Sequence, residues 1–297
     1  MRITKEAIFN KYFLAQNSIK RKLLLRVFLR FFDFAKTKVG GSAVRLAFGH
    51  EGTRLSRDKE AVLKRLCEEL SKRGPVRVIE IGVWFGNGST KIFLENLPEG
   101  STLGSVDKYI PYHPDANSDL WLMNQMLGLA NSAANSYFED YYNPKIDRDL
   151  KGNFDGVGFQ PRVDWVLIRG SSETSLQLLL DNSKDVSPEE ATKEEGFDCI
   201  FLDGSHYVDA VRNEIRLAKT LLKSCKANCA NICSHEESGI LCGDDLEIKP
   251  NPSNYEKALS EKNLDFVNGY HPGVLIATYE NLEEIHIYSG MWFNRSI

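Results

Sequence analysis

Short apolar runs of strand character recur along the chain after residue 75, and helical stretches separate most of them. Strands that alternate with helices typically form a parallel sheet with helices on both faces. Two further runs, Val274–Tyr279 and Ile285–Tyr288, are close enough to pair as an antiparallel hairpin. The pattern therefore predicts an α/β fold with a seven-stranded, mostly parallel sheet that ends in this hairpin. The runs assigned to the parallel part are Val76–Ile81, Thr102–Val106, Val163–Ile168, Phe197–Leu202 and Gly239–Cys242.

The N-terminal segment differs in charge from the rest of the chain. Residues 1–38 contain ten Lys or Arg and two acidic residues, whereas the whole chain has a net charge of -4, which argues against a general nucleic-acid binder. Residues 19–34 have the pattern of a basic amphipathic helix. Such a helix packs on the main domain or a second subunit, or lies on an anionic membrane surface. We predict a helical extension over 1–40, a main domain over 41–297 and a homo-oligomer.

Two insertions interrupt the regular pattern, at 108–162 and 224–238. The first is rich in Tyr, Trp, Asn and Asp, so we interpret it as a substrate cap, with an inert surface loop as the alternative. The second carries Cys225, Cys229 and Cys233, whose spacing suits one helix face better than a zinc site. Without a secretory signal or an apolar run long enough to span a membrane, we expect a cytoplasmic protein with reduced thiols.

A glycine-rich loop follows the first strand, in the segment VIEIGVWFGNGS. Glycines at Gly82, Gly86 and Gly88 allow a sharp turn and a close approach to a ligand, and Glu80 precedes them. Asp107 ends the second strand, where a carboxylate can bind a ribose diol. Acid-Gly-x-x-x-Gly-x-Gly followed by a strand-end acid resembles the class I S-adenosylmethionine-dependent methyltransferases over about residues 60–295.

That resemblance implies a Rossmann-like fold and S-adenosylmethionine as cofactor. A Rossmann-like domain that binds another nucleotide is the alternative. The Gly-x-Ser turn after the third strand, at Gly170-Ser171-Ser172, resembles the turn beside the adenine in catechol-type O-methyltransferases. The cofactor-binding residues that the resemblance implies are Glu80, Gly82, Gly86, Gly88, Ser89, Asp107, Lys108, Gly170, Ser171, Ser172 and Asp203.

Three carboxylates, Asp203, Asp244 and Asp245, follow the fourth and fifth strands. Neighbouring parallel strands lie under about 5 Å apart, so these groups can converge, and they would repel each other unless a cation lay between them. All-oxygen ligands favour Mg²⁺, with Mn²⁺ or Ca²⁺ as alternatives. The turn Asp203-Gly-Ser-His206 resembles the Asp-x-x-His turn of the metal-dependent macrolide-sugar O-methyltransferases, which implies that His206 is the base. Alternatively, Asp244 and Asp245 cap a turn and His206 is a surface histidine.

The predicted activity is Mg²⁺-dependent transfer of a methyl group from S-adenosylmethionine to a hydroxyl of a small molecule, such as a glycoside or another polyhydroxylated compound. Aromatic residues of the 108–162 insertion suit a sugar ring or a phenol equally. One alternative is a metal-independent methyltransferase that acts on a phenol, peptide or lipid. Another is a non-catalytic methyltransferase-like domain used for binding. The segment Tyr270–Gly273 borders the predicted pocket or forms a plain turn, and the turn is favoured.

Overall fold

The computed structural model describes residues 55–83, 88–108, 162–184, 196–223 and 238–297. The chain divides into two compact units, of which one comprises 1–55, 84–91 and 109–161 and the other 56–83, 92–108 and 162–297. The sheet and the turns that carry Asp203, His206 and Asp245 belong to the second unit, whereas Gly86, Gly88 and Ser89 belong to the first. The predicted N-terminal helix lies outside the described residues, as do nearly all residues of the two insertions.

The described residues form six helices and seven strands. The strands are β1 (Arg77–Ile81), β2 (Ser101–Asp107), β3 (Val163–Arg169), β4 (Cys199–Leu202), β5 (Ile240–Gly243), β6 (His286–Tyr288) and β7 (Met291–Phe293). The helices are α1 (Arg57–Ser71), α2 (Ser89–Asn96), α3 (Ser172–Lys184), α4 (Val208–Leu221), α5 (Pro252–Ser260) and α6 (Pro272–Asn281). None of these helices has the length and apolar character needed to cross a membrane.

The sheet has the order β3-β2-β1-β4-β5-β7-β6. Strands β1 to β5 are parallel, β7 runs antiparallel to β5, and β6 pairs antiparallel with β7. This arrangement confirms the predicted fold class, a seven-stranded and mostly parallel sheet with a C-terminal antiparallel hairpin.

The composition of the hairpin differs from the prediction. Residues 274–279 were expected to be a strand, but they lie in helix α6, and the hairpin is formed by β6 and β7. The run from Val274 to Thr278 is buried on all sides, so it shows no helical periodicity in the sequence. Pro272 occupies the start of the helix, where its missing N–H costs nothing, and that signal favours the helix.

Helices cover both faces of the sheet. On one face, apolar side chains of β1, β4 and β5 pack against α4 and α6 in a single core cluster. On the other face, Phe201 contacts Phe93 of α2 with ring centroids 5.8 Å apart. Cys67 of α1 also packs there: burial, and to a smaller extent the nearby Cys199 of β4, raise the pKa of the Cys67 thiol. Because helices cover both faces of the sheet, a ligand can reach it at the carboxyl ends of the parallel strands, which we call the carboxyl edge.

Candidate functional site at the carboxyl edge of the sheet

The carboxyl ends of β1 and β4 are in close contact. Gly82 follows β1 with φ +89°, and a Cβ atom at this position would lie 2.0 Å from the carbonyl oxygen of Asp203. The Gly82 N–H donates to the carbonyl oxygen of Val106 at 2.9 Å. Only glycine fits this conformation and this spacing, so the first glycine of the predicted cofactor loop lies against the turn that carries Asp203 and leads to His206.

The two predicted cofactor acids have different environments. Glu80 is fully buried, and its Oε2 accepts a hydrogen bond from Ser105 Oγ at 2.9 Å. Ser105 Oγ in turn accepts one from Trp165 Nε1 at 2.9 Å. Asp107 is half-buried at the end of β2, and its Oδ2 accepts the Val83 N–H at 3.0 Å. Asp107 is therefore held at the rim, whereas Glu80 is enclosed within the sheet.

The turn after β3 forms the start of helix α3. The Gly170 N–H donates to the carbonyl oxygen of Asp107 at 3.0 Å. Ser171 Oγ accepts the Thr174 N–H at 3.1 Å, as a helix-capping residue does. Ser172 Oγ donates to the carboxylate of Glu214, a buried residue of α4. Burial raises the pKa of Glu214 to about 7, although the hydrogen bond from Ser172 opposes the shift.

The remaining predicted cofactor residues are Gly86, Gly88, Ser89 and Lys108. Gly86 is outside the described residues, Gly88 is half-buried, and Ser89 is buried at the first position of α2. Lys108 is exposed after the end of β2.

The carboxylates after β4 and β5 surround a lysine. Lys59, in the first turn of α1, forms an ion pair with Asp244, and its Nζ lies 3.6 Å from Asp245 Oδ1. Burial alone would lower the pKa of Lys59, but Asp244, Asp245 and Asp203 outweigh it and raise the pKa. The three predicted metal ligands thus all stabilise the Lys59 ammonium, a positive charge that the protein itself supplies.

His206 lies in the turn between β4 and α4 and contacts two carboxylates. Its Nε2 is 2.9 Å from Asp245 Oδ2, and its Nδ1 is 3.0 Å from Asp265 Oδ1. Burial alone would lower the pKa of His206, but the hydrogen bonds with Asp245 and Asp265 raise it to about 10. Asp245 has φ +65°, which is uncommon for a residue other than glycine and marks a constrained position.

A second histidine lies beside the first. The ring centroids of His206 and His271 are 4.2 Å apart, and His271 Nδ1 is 2.8 Å from Glu247 Oε1. In the described part of the chain, His206, Asp245 and His271 are the set whose potential ligand atoms all lie within 4.8 Å of one another. Asp203, Asp244 and Asp245 line one small pocket together with His206, but among the described residues they are not a set whose ligand atoms all lie within 4.8 Å of one another.

Several site residues were not predicted from the sequence. Lys59, Glu214, Glu247 and Asp265 carry no motif, because their partners come from distant elements. His271 belongs to a segment for which a plain turn was favoured, whereas the structure places it immediately before α6. A histidine followed by Pro at a helix start was the one local signal that could have identified it.

No protein-family model and no curated protein matches this sequence. Solved structures with a similar chain course include an O-methyltransferase from Bacillus cereus in complex with SAH, at 15% identity and a TM-score of 0.41, covering 86% of this chain and 88% of that one. Another is TomG from Streptomyces achromogenes, an O-methyltransferase in complex with SAM, at 14% identity, a TM-score of 0.43 and coverages of 86% and 87%. A third is CalS11, a TDP-rhamnose 3'-O-methyltransferase, at 13% identity, a TM-score of 0.39 and coverages of 79% and 77%. Because these values are low, the function of this chain is inferred from its own residues.

Proposed function

We propose that this chain is an S-adenosylmethionine-dependent O-methyltransferase that acts on a small hydroxylated molecule. The observation that carries the proposal is the contact between Gly82 of the predicted cofactor loop and the turn leading from Asp203 to His206. A transferase needs its donor and acceptor sites side by side, since holding the reacting atoms in line is its main contribution to the rate. The strand order and the terminal hairpin agree with the fold that the sequence resemblance implies.

The cofactor is proposed to bind along the ends of β1, β2 and β3. The glycine loop from Gly82 allows close approach of the ligand, and Asp107 is positioned at the rim to accept hydrogen bonds from a ribose diol. Ser171 and Ser172 are engaged by Thr174 and Glu214, so their proposed contribution is the shape of the adenine-side turn. When bound, S-adenosylmethionine supplies the methyl group.

His206 is proposed to accept the proton of the acceptor hydroxyl. Asp265 fixes the ring through Nδ1, while the pairs with Asp245 and Asp265 raise the pKa of His206 to about 10 and so keep the ring protonated. Movement of Asp245 away from Nε2 lowers this pKa and leaves Nε2 to accept the proton. A sugar hydroxyl is a poor nucleophile at neutral pH, and removal of its proton in the transition state contributes about 10²- to 10⁴-fold to the rate of such reactions.

The donor chemistry of Asp203, Asp244 and Asp245 fits a hard divalent cation, and we propose Mg²⁺ there, with Mn²⁺ or Ca²⁺ as substitutes. All three carboxylates already act on the Lys59 ammonium, which supports a preference for positive charge at this point. Bound there, Mg²⁺ would act as a Lewis acid that makes the acceptor hydroxyl more acidic. Lys59 must then turn away, and its flexible side chain is 22% exposed.

A metal-independent reaction is the second candidate, and Lys59 is the observation that favours it. An ammonium held by these carboxylates already offsets part of their charge, so a cation lies within the acidic cluster without a metal. In the metal-independent reaction, His206 is the base and the Lys59 ammonium stabilises the ionised carboxylates.

The acceptor class is proposed to be a sugar or another polyhydroxylated molecule. Phe266 is 53% exposed beside His271, with ring centroids 4.9 Å apart, and Tyr207 is 55% exposed directly after His206. Exposed aromatic faces next to carboxylates suit the apolar faces and hydroxyls of a sugar ring. Homo-oligomer formation, contact of residues 19–34 with a membrane and a cytoplasmic location stay predictions.

The test is a methyl-transfer assay with glycosides and catechols as acceptors, with and without a chelator. Turnover that is lost on chelation and restored by Mg²⁺ supports the metal-dependent reaction. Turnover that chelation leaves unchanged supports the metal-independent reaction. Tight binding of S-adenosylhomocysteine without turnover on any hydroxylated acceptor would contradict the enzymatic proposal and favour a binding domain.

A further inference from the structure

The two site histidines come from different elements that the fold presses together. His206 lies in the β4–α4 turn, and His271 immediately precedes α6. A Cβ atom at Gly273 would lie 2.0 Å from the His206 carbonyl oxygen and 2.7 Å from the Val208 nitrogen. The first turn of α6 is therefore in close contact with the β4–α4 turn, and this contact fixes the two imidazole rings beside each other.

Each histidine is oriented by a carboxylate of its own. His206 Nδ1 is paired with Asp265 at 3.0 Å, and His271 Nδ1 with Glu247 Oε1 at 2.8 Å. Glu247 Oε2 also accepts the backbone N–H of His271 at 3.2 Å, so this carboxylate is paired with both the backbone and the ring of His271. A carboxylate on one ring nitrogen is the arrangement that fixes the tautomer of metal-binding histidines and directs the other nitrogen towards the ion.

Asp245 supplies an oxygen ligand to the same place. Its Oδ2 lies 2.9 Å from His206 Nε2, and the three ligand atoms of the set lie within 4.8 Å of one another. Ligands about 2.1 Å from a tetrahedral ion are about 3.4 Å apart, so closure needs side-chain movements of about 1 Å.

We propose that His206, Asp245 and His271 form a binding site for a divalent transition ion such as Zn²⁺. Two imidazole nitrogens and one carboxylate are ligands that Zn²⁺ and Co²⁺ prefer, whereas Mg²⁺ prefers oxygen alone. The site shares Asp245 with the all-oxygen site, but Asp203 and Asp244 take no part in it and His271 is essential. The two imidazole nitrogens are what should let it keep Co²⁺ or Zn²⁺ when Mg²⁺ competes for Asp245. Occupancy uses His206 Nε2 as a ligand, so the ion inhibits methyl transfer; this consequence rests on the proposed function, but the binding does not.

The experiment measures Co²⁺ binding by its visible absorption, with Zn²⁺ and Mg²⁺ as competitors. The full chain is stripped of metal, and Cys225, Cys229 and Cys233 are replaced by Ser so that their thiolates cannot contribute. We expect one Co²⁺ per chain with a spectrum of nitrogen and oxygen ligands, displaced by equimolar Zn²⁺ and retained in excess Mg²⁺. No absorption band, or displacement of Co²⁺ by Mg²⁺ as readily as by Zn²⁺, would overturn the proposal.

Variants test the ligand set. His271→Ala should abolish the Co²⁺ band, and Glu247→Gln should weaken binding about 10- to 100-fold by releasing the His271 ring. His286→Ala is the matched control, because His286 makes the same kind of pair with Glu284 at 2.8 Å on strand β6. If His271→Ala does not fold, His271→Gln replaces it. An unchanged band in a folded His271 variant overturns the site. S-adenosylhomocysteine binding, measured in parallel, separates this failure from failure of the proposed function.

Discussion

The two halves of the carboxyl edge are stabilised by different kinds of interaction. Around β1, β2 and β3, the predicted cofactor residues are held mainly by hydrogen bonds from backbone groups and hydroxyls. The Val83 N–H donates to Asp107, and the Ser105 hydroxyl donates to Glu80. Around β4 and β5, charged side chains dominate, and some of them, such as Lys59 and Asp265, come from segments distant in sequence from these strands. The first half is suited to bind a neutral, hydroxyl-rich part of a ligand, and the second to move a proton.

The largest effect is expected at the charged half. His206→Ala removes the proposed proton acceptor, so turnover should fall about 10²- to 10⁴-fold. Binding of S-adenosylhomocysteine should stay within a few-fold of wild type, because the hydrogen-bonding partners described for His206 are Asp245 and Asp265, which belong to the charged half. Steady-state kinetics and calorimetry check the two expectations, and unchanged turnover would contradict the assignment of the base.

In the half around β1, β2 and β3, the largest loss of stability is expected from a change at a tightly packed backbone position. Gly82→Ala adds a methyl group 2.0 Å from the Asp203 carbonyl oxygen at φ +89°, so the backbone must shift and unfolding free energy should fall by about 3 kcal/mol. Gly74→Ala is the control, because Gly74 also has φ +82° but no atom within 4 Å. It should cost only about 1 kcal/mol. Equal losses in urea denaturation would show that the contact of β1 with the β4 turn is not tight.

Glu214 joins the two halves, since it accepts from Ser172 and lines the pocket with His206. Its pKa rises from 4.5 to about 7 on folding, so the native state holds the proton more tightly and wild-type stability falls as pH rises from 4.5 to 7. Glu214→Gln removes that cost. Relative to wild type, the variant should gain about 2–3 kcal/mol at pH 8 and nothing at pH 4.

Denaturation curves at the two pH values give this difference directly. Glu256→Gln, at an exposed position of α5, is the control and should show the same stability change at both. A gain for Glu214→Gln that does not depend on pH would mean that folding does not raise the pKa of Glu214.

The smallest effect is expected from Lys59→Met, which keeps most of the side chain and removes the ammonium. If Asp203, Asp244 and Asp245 hold Mg²⁺, loss of the competing charge should raise Mg²⁺ affinity about tenfold, a change of about 1.4 kcal/mol. Lys64→Met, which removes an exposed lysine paired with Glu60 on the same helix, should leave it unchanged. Calorimetric titration of Mg²⁺ checks both, and equal affinities would exclude Lys59 as a competitor of the metal.

The half around β1, β2 and β3 is predicted better from the sequence, because the patterns that identify its residues lie within single segments. Strands β1 to β5, Gly82 and Asp107 can be read from apolar runs and from one glycine loop. Helix α6 is wrongly predicted as a strand, because full burial removes the periodicity that separates the two and Pro272 is a weak signal by comparison. Lys59 and Asp265 could not be predicted at all, since an ion pair between distant segments leaves no pattern in either segment.

The most direct test of the central claim is a calorimetric titration of S-adenosylhomocysteine into the folded, metal-free protein. The claim is that the edge formed by Gly82, Asp107 and the turn after β3 binds this cofactor, so we expect micromolar affinity without any metal. Absence of binding to a protein shown to be folded would contradict the claim and leave a Rossmann-like domain that binds a different ligand.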